Sequence, residues 1–165
     1  MSCPVLWSSS DKSIFKFRAG SDLTSVCLNF ALRQTIEILD QLEGDGYSAD
    51  LFHMNFVPNT NLEALIESCR RTGRLLIIDD SKSVTKFGDL LVAQLAELDL
   101  NVQTMILTRR GIPNLSYGAQ SDSLEINFAN VQKFVKKLFF LSKTCFIIDL
   151  ILNYQILIGL VQKDV

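Results

Sequence analysis

Histidine is nearly missing from this chain. His53 is the only one among 165 residues, so any imidazole acid–base step would have to run through it. Cysteine is sparse as well: Cys3, Cys27, Cys69 and Cys145 form no C-x-x-C pair. One histidine and no close cysteine pair argue against a zinc site. Cys27 and Cys69 fall in apolar periodic segments, which reads as free, buried thiols in a reducing compartment. The glycine-rich phosphate loops, G-x-G-x-x-G and the P-loop, are both absent. So is G-x-S-x-G, the strand–turn–helix that presents a nucleophilic serine. Basic charge is not in excess: the net charge is −2 and the isoelectric point is near 5.4. A general nucleic-acid binder needs a basic surface, so that class is set aside. Met1 to Ser10 has no basic stretch followed by an apolar run, and no secretory signal is expected.

What is present is apolar. Hydrophobic residues make up 48% of the chain and include 11 phenylalanines, ample for one packed core, while charged residues are 21%. That balance suits a single globular domain. Residues 1 to 13 read as a polar, serine-rich lead-in arm, and Ile14 to Arg18 as a short edge strand. After a turn at Gly20-Ser21-Asp22, Leu23 to Phe30 reads as the first core strand. A helix follows over about Ala31 to Leu42, with Leu32, Ile36, Leu39 and Leu42 on its inner face, and Gly44-Asp45-Gly46 ends it. Ser48 to Phe56 reads as the second core strand.

Thr60-Asn61-Leu62-Glu63 fits a helix start, with Thr60 or Asn61 as the cap. Leu62, Leu65, Ile66 and Cys69 form the buried stripe of that helix, and Gly73 is its stop. Arg74 to Asp79 is the third strand, whose continuous Leu-Leu-Ile-Ile predicts burial on both faces. A polar loop over Ser81 to Phe87 leads to a helix following Gly88, with Leu91, Val92, Leu95 and Leu98 facing inward. Val102 to Thr108 is the fourth strand. Leu124 to Leu141 reads as a further helix whose core contacts include Phe128, Val131, Phe134, Val135 and Leu138. This alternation predicts an α/β fold in three layers, a mostly parallel sheet with helices on both faces and right-handed crossovers.

The best generic site is Asp79-Asp80 at the end of the third strand, because ligands of open α/β sheets gather at the carboxyl ends of strands. Adjacent strand residues point to opposite faces, so the two carboxylates would not act as one acid–base pair. The plainer reading is that they are solvated or accept hydrogen bonds from loop amides. Lys82, Lys86, Arg109 and Arg110 lie in loops that follow strands, where they could meet a phosphate or an acidic partner, or simply face water. His53, with no nucleophile marked beside it, reads as structural. The segment Thr144 to Gln162 carries Asp149 as its only charge. It is close to the about 20 apolar residues a bilayer span needs. Asp149, Asn153 and Gln155 count against a span, and an apolar C-terminal helix for packing or oligomerisation is expected instead.

Four segments carry a family likeness. Gly20-Ser21-Asp22-Leu23-Thr24 is similar to a G-x-D-hydrophobic-T start of a first strand. Asn55-Phe56-Val57-Pro58-Asn59-Thr60-Asn61 is similar to R-F-V-K-P-L-D, and Thr72 to Asp80 to T-G-R-L-L-V-V-E-E. Gly88 and Gly111-Ile112-Pro113 follow in the same order. Over about Gly20 to Leu138 the chain resembles the C-terminal domain of transketolase-like thiamine diphosphate enzymes. These include transketolase, deoxyxylulose phosphate synthase and the β subunit of the first component of 2-oxoacid dehydrogenases. Asn55 stands where that family has arginine, Pro58 is one place early, and Asn29-Phe30 replaces a small turn.

The resemblance implies a domain over 20–141; composition sets off an N-terminal arm over 1–19 before it and an apolar tail over 142–165, which matches nothing in the family, after it. No catalytic residue is expected in this chain; the candidate ligand or partner contacts are Asn55, at a position the resemblance marks, and Asp79, Asp80, Lys86, Arg109 and Arg110, from their places at strand ends and in loops. In that family the cofactor lies between two other domains. The chain alone is therefore expected to bind neither thiamine diphosphate nor magnesium, which belong to the assembled enzyme. A homo- or hetero-oligomer with cofactor-carrying chains is implied, in the cytoplasm or in a mitochondrial or plastid matrix. The alternative is a stand-alone interaction or scaffold protein that reuses the fold, membrane-associated through its tail.

Overall fold

The computed structural model describes residues 4–55, 61–81, 87–108, 135 and 139. Among the described residues, the strands and helices with defined bounds run in the order β1 (Trp7–Ser8), β2 (Ile14–Arg18), β3 (Leu23–Leu28), α1 (Leu32–Gly44), β4 (Ala49–Met54), α2 (Glu63–Thr72), β5 (Arg74–Asp79), α3 (Phe87–Glu97) and β6 (Gln103–Thr108). They form one sheet in the order β1-β2-β4-β3-β5-β6. β4, β3, β5 and β6 are parallel, while β1 and β2 add an antiparallel edge. This is the mostly parallel α/β arrangement that the alternating pattern predicts.

Helices cover both faces. On one side Ile38, Leu39 and Leu42 of α1 meet Leu23, Cys27, Leu76 and Ile78, and Val135 is buried among them. On the other, Leu65 and Cys69 of α2 and Leu91 and Leu95 of α3 meet Val26, Phe52, Leu75 and Ile77. Leu75 to Ile78 are fully buried, as a strand covered on both faces requires. Side chains of that kind each contribute about 1.5–3 kcal/mol on burial, so the four parallel strands carry most of the fold's stability. Val135 and Phe139 lie in helical backbone. Phe139 stacks on Tyr47 with ring centroids 4.0 Å apart, under the Arg74 guanidinium.

Local chemistry explains where elements stop. Gly73 takes the left-handed conformation (φ 66°), and its N–H closes α2 onto Cys69 O, a conformation glycine adopts without strain. At the start of α2, Asn61 Oδ1 accepts the Glu63 N–H at 2.9 Å, the capping bond expected of Asn61; Thr60 lies outside the described residues. The first core strand ends at Leu28, because Asn29 turns to φ 56° and opens a 3-10 turn over Asn29–Ala31. Leu98 corrects an expectation. It was placed on the inner face of α3, but it is 47% exposed. The helix ends at Glu97 and Asp99 takes φ 52°, which turns Leu98 away from the sheet. Among the described residues no helix is long and apolar enough to cross a membrane. The segment 144–162 and the expected apolar C-terminal helix lie outside the described residues.

Candidate functional site

β3 feeds α1 on one face of the sheet, whereas β5 feeds α3 on the other. Their carboxyl ends therefore diverge, and the gap between diverging strand ends is where open α/β sheets take ligands. Asn29 and Phe30 come to this edge from β3, His53 and Asn55 from β4, and Asp79, Asp80 and Ser81 from β5.

Each predicted residue has a definite place there. Asp79 is 0% exposed. Its Oδ1 accepts the Ser81 N–H and its Oδ2 the Phe87 N–H, both at 2.9 Å. One strand-end carboxylate thus braces the loop and the first turn of α3, where a negative charge also suits the helix dipole. That is the loop-amide role foreseen as the plainer reading. Asp79 continues the face of Ile77 at the last position of β5, and Asp80 follows the strand end. His53 Nε2 donates to the Asn29 carbonyl at 3.0 Å, and its ring meets Phe17 edge-on at 6.2 Å. The imidazole is a strut that holds the turn after β3. Asn55 is exposed and ties the edge hairpin down by donating its N–H to Ser13 O at 3.0 Å. Phe30 projects into solvent, 87% exposed. Lys86, Arg109 and Arg110, with Lys82, lie outside the described residues.

The opposite edge holds a polar centre that sequence reasoning missed. Asp50 is 1% exposed. Its Oδ1 meets Lys16 Nζ at 2.9 Å and the Gly20 N–H at 2.9 Å. Its Oδ2 accepts from Ser68 Oγ and Arg71 Nη2, both at 2.6 Å. Ser68 also lies 2.7 Å from Thr24 Oγ1, which is 2.8 Å from Thr72 Oγ1. Burial alone would raise the Asp50 pKa, but the Ser68 hydroxyl, Lys16 and the Gly20 amide outweigh it and hold it below the usual carboxylate range. Nearby, Asp22 Oδ2 accepts the N–H and O–H of Ser48, and these bonds hold its pKa low too. The one available signal for Asp50 was a lone carboxylate inside the apolar run Ala49-Asp50-Leu51-Phe52.

Neither edge offers an activated nucleophile. Cys27 and Cys69 are free and buried, as their apolar settings predict, and burial pushes both thiols up to about 12. At neutral pH they are protonated and inert. Magnesium with a diphosphate needs carboxylate oxygens left open toward the ligand. Both Asp79 oxygens are engaged by backbone amides, and among the described residues no group of three or more His, Cys, Asp or Glu is placed to hold a metal. The described residues do not fit that cofactor.

Residues 14–131 match the family described as transketolase, C-terminal domain, which is well over half of the chain. The chain belongs to this family. Its transketolase C-terminal fold is shared with solved structures. A split-gene transketolase, described as an inactive β4 tetramer, superposes with a TM-score of 0.64 at 20% identity, covering 78% of this chain and 41% of that one. Transketolase from Campylobacter jejuni gives a TM-score of 0.53 at 8% identity, covering 81% and 20%. In sequence, the chain is 25% identical over 80 residues to the pyruvate dehydrogenase E1 component subunit beta of Staphylococcus epidermidis, and 22% identical to that of Staphylococcus aureus. Each of these matches covers 48% of this chain and 25% of the relative, so the chain spans about a quarter of their length.

Within the transketolase C-terminal family fold, the G-x-D-hydrophobic-T segment has a structural explanation. A Cβ on Gly20 would lie 2.2 Å from the Ala49 backbone nitrogen, so only glycine fits. Asp22 braces Ser48, and Thr24 anchors the hydroxyl network beneath α2.

Proposed function

We propose that this chain is the C-terminal domain, or a separate accessory subunit, of a transketolase-like thiamine-diphosphate-dependent enzyme of the pyruvate dehydrogenase E1 β or transketolase type. Its role is assembly and partner docking, and the cofactor with its magnesium is held by other chains or domains. The observation that carries this reading is a family match over residues 14–131 in a chain that spans only a quarter of its curated relatives. The commitment of Asp79 to backbone amides supports it, since the strand-end carboxylate serves the fold. Relatives described as a subunit and as a β4 tetramer support an oligomeric setting; the compartment we propose is the cytoplasm or an organelle matrix.

A second reading is a stand-alone interaction protein built on the same fold. Val5, Leu6 and Trp7 favour it. They are exposed and precede the residues the family model matches.

The test is calorimetric titration of the purified chain with thiamine diphosphate and magnesium, beside a pull-down with mass-spectrometric identification of captured chains. The expected result is no binding heat and capture of a chain carrying the cofactor domains. Tight binding by this chain alone would overturn the assignment. No binding and no such chain would leave the second reading.

A further inference from the structure

Asp50 joins three segments that are otherwise separate. Its donors come from β2 (Lys16), from the turn before β3 (Gly20), and from α2 (Ser68 and Arg71). A single oxygen, Oδ1, receives both the strand lysine and the amide of the turn that links that strand to the parallel sheet. Lys16 reaches it across the Phe52 ring, with Nζ 5.2 Å from the centroid.

The hairpin of β1 and β2 is otherwise held by the β2–β4 ladder, by the Asn55 N–H on Ser13 O and by Ile14 and Phe17 against the core; among the described residues its ion pair to a buried carboxylate is Lys16–Asp50. β2 pairs with β4, and its ladder slips between Lys16 and Arg18. Ile14 is its only fully buried residue, while Phe15, Lys16, Phe17 and Arg18 are half-buried. Arg18 bonds Asp40 and meets Glu43 on α1, but those carboxylates are 49% and 69% exposed, so solvent screens them. The Lys16–Asp50 pair ends in a carboxylate that water does not reach. By contrast β3 and β5 are buried almost throughout and do not depend on one charge. Segments with little buried apolar surface open first.

We propose that Asp50 is the latch of an edge strap, residues 4–18, which opens as a unit about Gly20 without melting the parallel sheet. Opening uncovers the edge of β4 from Leu51 to Met54, which β2 otherwise pairs. The latch is set by one carboxylate whose loss leaves Lys16 and Arg71 facing a neutral site.

Hydrogen exchange read by mass spectrometry on the full chain tests this, comparing the unmodified protein with Asp50→Asn. Asparagine keeps the size and one acceptor but removes the charge. The expected result is exchange in 14–18 accelerated at least about tenfold more than in 23–28 and 74–79, which share only the loss of global stability. Equal acceleration in all three segments, or none in 14–18, would overturn the proposal. If Asp50→Asn does not fold, Lys16→Met decides by the same readout, since it leaves Asp50 with Gly20, Ser68 and Arg71. Acceleration confined to 14–18 supports the latch, and no change or uniform change rejects it.

Discussion

The two ends of the parallel strands use their carboxylates differently. At the amino ends, Asp50 accepts from Lys16, the Gly20 amide, Ser68 and Arg71 and through Ser68 joins Thr24 and Thr72 in a buried network, while Asp22 braces Ser48 beside it. At the carboxyl ends, Asp79 braces one loop and one helix start, His53 props one turn, and Phe30 stands in solvent. The amino end carries the G-x-D-hydrophobic-T segment, where Gly20, Asp22 and Thr24 serve close packing and hydrogen bonding. The carboxyl end is where open α/β sheets take ligands, and there Phe30 and Asn55 are exposed. Polar bracing of the fold concentrates at one end, and exposed side chains stand at the other.

The largest test of that contrast is Asp50→Ala. Removing one partner of a buried charge centre leaves the others uncompensated, and the expected loss is about 3 kcal/mol, read from urea unfolding. A loss no greater than that of Asp79→Ala would remove the difference between the ends. Gly20→Ala is expected to cost about 1–3 kcal/mol, because a methyl there meets the Ala49 backbone rather than a side chain that can move. Asp79→Ala should cost about 1–2 kcal/mol, the scale of a lost helix cap, with exchange rising at the start of α3 and little change in β3.

Acidity sharpens the comparison. Asp50 and Asp22 have folded-state pKa values below the ordinary one. Their stabilisation is fully present above the unfolded-state value of about 3.9 and is lost as pH falls through the lower, folded values. Stability should therefore fall with acidification below about pH 4, and Asp50→Asn should flatten that fall. An unchanged slope in the variant would mean that Asp50 is not responsible. The smallest effect belongs to Phe30→Ala, expected within about 0.5 kcal/mol of the parent in stability. If Phe30 belongs to a docking surface, the same variant weakens assembly while leaving the melting curve in place. A large loss of stability would show instead that the turn after β3 is part of the core.

Much of this was legible in residue order. The Leu75–Ile78 run marked a strand buried on both faces, and Leu39, Leu42, Leu65, Leu91 and Leu95 marked the inner faces of three helices. Gly73 marked a helix end and Asn61 a helix start, because caps act within a few residues of where they stand. The buried, inert state of Cys27 and Cys69 followed from their apolar neighbours. The amide role of Asp79 followed from its position where a strand hands over to a loop. Leu98 failed because helical periodicity gives no warning of where a helix ends.

Asp50 lay beyond sequence reasoning for a different reason. Its donors sit 34, 30, 18 and 21 positions away at Lys16, Gly20, Ser68 and Arg71, and no local pattern links them. The spatial order of the strands and the antiparallel edge are of the same kind. Local steric and hydrogen-bonding preferences act over a few residues, so composition and periodicity determined the elements and their buried faces, while four segments in order carried the family resemblance. Which carboxylate became the centre of a buried network, and which end of the sheet was left with an exposed phenylalanine, was decided only when the sheet closed. Those outcomes depend on contacts between segments that meet in space and nowhere in the chain.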